Sequence, residues 1–188
     1  MSPTGIGIDF GTTNSSLAVV QGGEIRLATF PFMESVVDTF RSVLFFPIDS
    51  RRSTVRPLAG PSAIEAYLQP HEGGRLIQSL KSFAASSLFS KTTINGRPYA
   101  LEELIGLILR LLRSEAEAEL GPLGSLVVAG RPVRFVGADS PEDEERALER
   151  LRKAYAIAGF TQVEFAFEPI GAAHAYSERL NQPELVLI

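Results

Sequence analysis

The chain has 188 residues, 45% of them hydrophobic, and a formal net charge of −4 at pH 7. This length fits one domain or two small ones, and the apolar fraction is sufficient for a hydrophobic core. The basic residues are scattered, which argues against the concentrated basic face of a nucleic-acid-binding protein. Cysteine is absent, so disulfides and thiolate sites are excluded. We therefore expect a cytoplasmic protein with neither nucleic-acid nor membrane partners.

The first 29 residues carry the signals of a meander of three strands. Strands are predicted at 5–10, 16–20 and 24–29, with a turn at 11–15 and Gly22-Gly23 before the third strand. Each strand is apolar or β-branched, and each connection is rich in small polar residues and glycine. The meander predicts an antiparallel start to a larger sheet.

The middle of the chain is predicted to combine short strands, a hairpin and two helices. In chain order these are a strand at 42–46, a loop with a short strand at 50–57, a helix at 61–68, a hairpin of 91–94 and 97–99, and a helix at 101–120. Asn95-Gly96 is typical of a tight hairpin turn. Apolar residues recur at three- and four-residue spacing through the long helix, and Gly121-Pro122 ends it.

The last third of the chain alternates strands and helices. A buried strand is predicted at 126–129, a helix that starts at the cap Ser140 and ends at Gly159, a strand at 163–167, a helix from 168 onward, and an apolar strand at 184–188. The acidic residues 142–145 are predicted to be favourable charges at a helix N-terminus. A chain end on an apolar strand is unusual, so we expect a fragment of a longer protein.

The turn after the first strand carries groups suited to a phosphate. Gly11 frees the backbone, Thr12 and Thr13 add hydroxyls, and Asp9 precedes the turn. Turn amides and hydroxyls donate hydrogen bonds to phosphate oxygens, and a carboxylate holds hydrated magnesium. The alternative is a plain hairpin in which Asp9 initiates the turn by bonding the backbone ahead of it.

Residues 5–20 resemble the first phosphate loop of the actin-like ATPase superfamily, and the run Gly-Ile-Asp-Phe-Gly-Thr-Thr-Asn-Ser resembles the seventy-kilodalton heat-shock chaperones (DnaK-like). Further blocks resemble the same family in the same order: residues 76–83, 93–104, 115–121, 126–133, 156–160 and 168–176. The variant Gly130-Arg131-Pro132-Val133, where the family has V-V-T-V-P-A, is similar to the divergent bacterial YegD-like branch. Arg41 also departs from the family, which usually has proline there.

The resemblance implies ATP or ADP with Mg²⁺ as ligands of the intact parent protein. The implied site residues are Lys81 and Glu168 as catalytic groups, Gly11, Thr12, Thr13 and Asn14 as nucleotide-binding groups, and Asp9 as the magnesium ligand. Simpler alternatives exist for several of these residues. Asn14 could serve the turn alone, Lys81 could be a solvated lysine, and Glu168 could be stabilised by the helix macrodipole. Pro132 stands at a family proline that relays nucleotide state, or it ends a strand.

The expected fold is α/β: a ribonuclease-H-like lobe of the actin-ATPase type, with a mixed five-stranded sheet flanked by helices. Residues 1–40 and 121–188 are expected to form this subdomain, and residues 41–120 a smaller inserted α+β subdomain. The second lobe is expected to be absent from the chain. The parent is then a chaperone-like ATPase with client proteins and co-chaperones as partners, and the fragment alone is expected to be inactive and prone to self-association.

Three alternatives to a chaperone ATPase stay open at this stage. The same phosphate loop occurs in sugar kinases and in actin-like filament proteins. A divergent member could also retain the fold as a non-catalytic protein-interaction module, for which the departures at Arg41 and at Gly130-Arg131 leave room.

Overall fold

The computed structural model describes residues 5–48, 56–70, 73–177 and 182. Within these residues the strands are β1 (Gly5–Phe10), β2 (Asn14–Gln21), β3 (Glu24–Leu27), β4 (Phe30–Phe32), β5 (Ser35–Val37), β6 (Phe40–Arg41), β7 (Val43–Pro47), β8 (Leu58–Ala59), β9 (Gly74–Gln78), β10 (Lys91–Ile94), β11 (Arg97–Ala100), β12 (Leu126–Arg131) and β13 (Gln162–Phe167). The helices are α1 (Gly60–Leu68), α2 (Leu101–Leu120), α3 (Pro141–Ile157) and α4 (Glu168–Ser177), with a 3₁₀ helix at Leu80–Phe83. The predicted strand at 184–188 and most of the predicted segment at 50–57 lie outside the described residues.

The main sheet is mixed and has the order β13-β12-β1-β2-β3. β1 pairs with β12 in parallel and with β2 antiparallel, and β12 pairs with β13 in parallel. The two-residue strand β6 also pairs with β2. The predicted α/β class, with a mixed sheet flanked by helices, is therefore confirmed, and β6 is a short addition to the five expected strands.

One hydrophobic core joins the sheet to α2 and α3. Alternate residues of β1, namely Ile6, Ile8 and Phe10, are buried together with the apolar stripe of α2. The two helices approach closely where α2 has Gly106, since a Cβ built there would lie 2.7 Å from Cγ2 of Ile157. This packing stabilises one face of the sheet, while the intervening positions of β1 are open to solvent or only half-buried.

The local signals that predicted α2 and α3 are visible in the structure. The α2 helix has the predicted bounds and ends at Gly121, whose φ is +82°. At the start of α3, the Asp143 amide donates to Oγ of Ser140, and the Ser140 amide donates to the Asp143 carboxylate, both at 3.2 Å. This reciprocal cap satisfies two helix-terminal amides, so the predicted start at Ser140 and Pro141 is confirmed.

A smaller sheet, in the order β8-β7-β9, packs with α1. After β9 the chain turns through Ser79, whose φ of +60° is left-handed, into the 3₁₀ helix that carries Lys81. The strands β4, β5, β6, β8 and β9 were not predicted as such, because each is short and depends on a partner strand. No helix among the described residues is long and apolar enough to cross a membrane. The division into subdomains at 41 and 120 stays a prediction.

Candidate functional site

Three parallel strands end at one edge of the main sheet, and the site lies at this edge. The carboxyl ends of β1, β12 and β13 deliver Asp9, Gly130 and, one residue after β13, Glu168. A Cβ built on Gly130 would lie 3.2 Å from Cγ of Glu168 and 3.4 Å from Oδ1 of Asp9. Because Gly130 has no side chain, the side chains of Asp9 and Glu168 can both lie beside it. Such edges are where open α/β sheets bind ligands.

Lys81 reaches this edge from the smaller sheet and binds Glu168. Its Nζ donates to Oε1 of Glu168 at 2.6 Å, across 87 positions of sequence. The side chain of Lys81 is only 8% exposed, and that of Glu168 is 34% exposed. A buried ammonium is costly unless it is paired, so the ion pair fixes the position of both groups. Glu168 also begins α4, where the helix dipole favours a negative charge.

Asp9 is the second carboxylate of the site: it is accessible from the open face of the sheet, but its carboxyl group is partly enclosed by the walls of a cavity. Partial burial raises the pKa of Asp9 above its ordinary value, the charge of Glu168 raises it further, and the charge of Lys81 lowers it. The site thus brings two carboxylates and one ammonium together. Arg134 lines the same cavity and adds a second positive charge, so the ionisable lining groups are two carboxylates and two cations. The carboxylate of Asp9 is the group that would attract a metal ion.

The turn between β1 and β2 is closed by a hydrogen bond from the Gly11 amide to the carbonyl of Asn14, at 3.0 Å. A Cβ built on Gly11 would lie well under 3.0 Å from the same carbonyl oxygen. Only glycine fits this close backbone approach without a shift. This contact is the physical reason why the turn needs glycine at position 11.

Thr13 and Asn14 bind the neighbouring strand. The carbonyl of Thr13 accepts a hydrogen bond from the Ser42 amide at 2.9 Å. Oδ1 of Asn14 accepts one from Nη1 of Arg41 at 2.8 Å. The side-chain oxygen of Asn14 is therefore engaged with Arg41.

A cavity of about 200 Å³ opens above these groups. Its lining residues are Asp9, Gly11, Thr12, Lys81, Ser82, Pro132, Arg134, Phe135, Val136 and Glu168. The structure thus brings together five of the seven predicted site residues, whereas Thr13 and Asn14 are not among the lining residues. A larger cleft of about 350 Å³ between α1 and the β4–β5 hairpin is mostly apolar and has Arg41 as its only ionisable lining residue.

One wall of the cavity is the loop after β12, which the sequence marked through Pro132 and through the departure at Gly130-Arg131 but without a role for Arg131 or Phe135 in the site. Arg131 at its start pairs with Glu144 of α3 at 2.6 Å, and the same carboxylate accepts the Phe135 amide at 2.8 Å. The Arg131 guanidinium also lies over the rings of Phe135 and Phe167, at 5.4 and 5.0 Å from their centroids. Glu144 is in the first turn of α3 as predicted, but its contacts also fasten this loop. In the sequence, the unusual pair Gly130-Arg131 was the one feature that could have pointed to a role for Arg131.

The segment after Lys81 is tied to α3 by an arginine that was also missed. Nη1 of Arg150 donates to the carbonyls of Phe83, Ala84 and Ser86, and Nη2 donates to that of Phe89, at 2.7–3.2 Å. The two N–H groups of Nη1 are shared among three carbonyls, and that of Phe83, the last residue of the 3₁₀ helix, also accepts the Ser86 amide. One guanidinium therefore contacts four carbonyls between Phe83 and Phe89. The tether helps hold the 3₁₀ helix of Lys81 against the larger sheet.

The donor set at this edge fits magnesium. The described residues contain no group of three or more histidine, aspartate or glutamate side chains that could hold a metal by themselves. Mg²⁺ usually keeps several waters and takes one or two carboxylates together with phosphate oxygens. Asp9, exposed beside the cavity, has the chemistry for this role, whereas a protein-only metal cage is not found in the described part of the chain.

Comparison with known proteins identifies a sequence relative of this chain. No family model matches the chain. The chain is similar to the chaperone protein DnaK of Mycoplasma mycoides subsp. mycoides SC, with 29% identity over 184 residues. The match covers 97% of this chain and 27% of DnaK, so the chain spans about a quarter of the length of that curated relative. This similarity and the mixed sheet support a lobe like that of the heat-shock ATPase domain.

Proposed function

We propose that this chain supplies the phosphate-binding lobe of a chaperone-like protein that binds and hydrolyses ATP. The observation that carries the proposal is the convergence of Asp9, Thr12, Lys81 and Glu168 on one cavity. These residues come from three separate places in the sequence: Asp9 and Thr12 from β1 and the turn after it, Lys81 from the 3₁₀ helix, and Glu168 from the start of α4. The similarity to DnaK, which its name describes as a chaperone, supports the same function.

The charges of the site suit phosphoryl transfer, which depends mostly on positioning and electrostatic stabilisation. We assign Asp9 to hold magnesium through water, and Thr12 and Thr13 to donate to phosphate oxygens. Gly11 would shape the turn that presents them, because its amide donates to the Asn14 carbonyl. Magnesium, when bound, neutralises charge that develops on the phosphates. Asn14 is the least supported of the predicted nucleotide contacts, because its side-chain oxygen binds Arg41.

Lys81 and Glu168 would act as a pair. An ammonium has three N–H donors, and Lys81 uses one on Glu168, so two are left for a terminal phosphate or an attacking water. Glu168, held by Lys81, would orient that water or the hydrated metal. Because Lys81 is buried and paired, it needs little reorganisation when substrate binds.

The proposal extends to the whole protein that contains this lobe. A second lobe would close the nucleotide from the other side, so the 188-residue chain alone is expected to bind ATP weakly. The Gly130-Arg131-Pro132-Val133 variant supports the YegD-like branch. The same proposal includes client proteins and co-chaperones in the cytoplasm. It also includes a division into two subdomains, one of residues 1–40 and 121–188 and one of residues 41–120.

The test uses the full-length gene product, with calorimetry for Mg-ATP and Mg-ADP and a phosphate-release assay for turnover. Lys81→Ala is expected to abolish turnover while nucleotide still binds. Lys91→Ala, which removes an exposed lysine of β10, is the matched control and should change neither. Unchanged hydrolysis in Lys81→Ala would remove Lys81 from the mechanism, and absence of nucleotide binding by the wild type would refute the proposal.

Further outcomes separate the alternatives. Phosphoryl transfer to a hexose or glycerol would place the protein with sugar kinases. Nucleotide-dependent, sedimentable polymers would place it with actin-like filament proteins. A wild-type protein that binds a defined partner but no nucleotide would instead be a non-catalytic interaction module.

A further inference from the structure

We propose that Arg134 is a second cationic contact for the terminal phosphate of the bound nucleotide. This inference rests on the proposed function, since it names a further residue of the same site. Arg134 lines the cavity with Asp9, Lys81 and Glu168, although no local pattern in the sequence marks it. It lies in the loop after β12, where the chain departs from the heat-shock pattern.

Charge balance in the cavity is the first argument. The ionisable lining residues are two carboxylates, one lysine and Arg134. The lysine is already matched by Glu168 at 2.6 Å. Arg134 is therefore the only lining cation that is not paired with a lining carboxylate. A terminal phosphate brings additional negative charge, and a guanidinium is well suited to bind it.

The present contacts of Arg134 leave it able to take this role. Its Nε donates to the Ala138 carbonyl at 2.7 Å, which anchors the guanidinium. Its ion pair with Asp139 is long, at 3.5 Å, and the two side chains are 68% and 93% exposed. Exposed ion pairs of this kind contribute little free energy, so Arg134 would lose little when it exchanges Asp139 for phosphate. Within the described residues Nη1 has no hydrogen bond, and a guanidinium has five donors.

The loop that carries Arg134 is fixed on both sides. Before it, Arg131 pairs with Glu144, and after it, the Phe135 amide donates to the same carboxylate. The Ala138 amide also donates to the Phe135 carbonyl at 3.1 Å, and this hydrogen bond closes a turn. Nε of Arg134 donates to the Ala138 carbonyl of the same turn. A cation on a preorganised loop loses less conformational entropy when it binds an anion. The fastening by Glu144 thus positions Arg134 on the wall between this cavity and a neighbouring cleft that Ala138, Asp139 and Glu144 line. The guanidinium contacts Ala138 and Asp139 on the cleft side, so it would turn from Asp139 toward the cavity when phosphate binds.

The experiment compares Mg-ATP and Mg-ADP affinities of the full-length gene product by calorimetry. Arg134→Ala is expected to weaken ATP binding about tenfold, as for one hydrogen bond to a charged group, with a smaller effect on ADP. Arg134→Lys should recover part of the ATP affinity, because lysine keeps the positive charge but lacks the two parallel N–H donors of a guanidinium. Arg97→Ala is the matched control: its side chain is 67% exposed and its ion pair with Glu103 is 3.9 Å long. This control should change neither affinity.

The outcomes distinguish this inference from the function on which it rests. If the wild type binds Mg-ATP and Arg134→Ala binds it equally well, the role of Arg134 is refuted and the proposed function stands. Equal weakening of ATP and ADP, with a lowered melting temperature, would mean that Arg134 only supports the loop. If the wild type binds no nucleotide, the proposed function fails and the inference is refuted with it.

Discussion

Gly11 provides a quantitative test of the turn that forms the floor of the cavity. An alanine Cβ at this position would lie well under 3.0 Å from the carbonyl oxygen of Asn14, a backbone atom that cannot rotate away. The turn would have to open and would lose the 3.0 Å hydrogen bond between these residues. Overpacking costs about 1–3 kcal/mol, and a lost hydrogen bond costs about 1 kcal/mol. The lower entropy of the unfolded alanine chain offsets about 0.4–1 kcal/mol.

We therefore expect Gly11→Ala to lower the free energy of unfolding by about 2 kcal/mol. Gly7→Ala is the matched control in β1, the strand that precedes the turn of Gly11. A Cβ built on Gly7 has no atom within 4 Å, and Gly7 does not have a positive φ. Its alanine variant should be neutral or slightly more stable, because glycine weakens a strand interior.

Urea unfolding of the 188-residue chain, followed by circular dichroism, measures both changes. The comparison is internal, since both variants make the same chemical change within four residues of each other. Equal free energies of unfolding for the two variants would refute the reasoning from the Asn14 contact. A Gly7→Ala variant less stable than Gly11→Ala would refute it equally.

Two further predictions concern the charges around the site. Because the fold raises the pKa of Asp9, its ionised form opposes folding, and wild-type stability falls as pH rises through that raised pKa. Asp9→Asn should therefore be the more stable protein at pH 7, with the advantage vanishing below about the ordinary pKa of 3.8 in urea titrations. Arg150→Ala should lower the free energy of unfolding by about 2–3 kcal/mol, because four carbonyls lose a charged donor.

Each of these two predictions has its own control. For Asp9→Asn, the difference from wild type must depend on pH, and a constant difference from pH 3.5 to 7 would contradict the linkage argument. For Arg150→Ala, Lys153→Ala on the same helix removes an exposed pair with Glu149 and should cost well under 1 kcal/mol. Equal losses for the two variants would show that the carbonyl contacts of Arg150 contribute little.

Elements with strong local signals were predictable from the sequence. The apolar stripe and Gly121 give α2 its bounds, Ser140 gives α3 its start, and Asn95-Gly96 gives the β10–β11 hairpin. The turn after β1 was also recognisable, whereas the assignment of Gly11, Thr12 and Thr13 to the phosphate site stays a prediction. All of these signals act over a few residues, because periodicity, helix caps and tight turns depend on near neighbours in the chain.

The assembled site depended on contacts that no local pattern encodes. Lys81 and Glu168 are 87 positions apart, and the sequence suggested them only through resemblance to a family. The contact between Asn14 and Arg41, the fastening of Arg131 by Glu144, and the place of Arg134 in the cavity became visible only in the structure. Short strands such as β6 likewise form only beside a partner. The physical reason is that ion pairs and sheet edges are stabilised by groups brought together through packing, whose distance in space is unrelated to their distance along the chain.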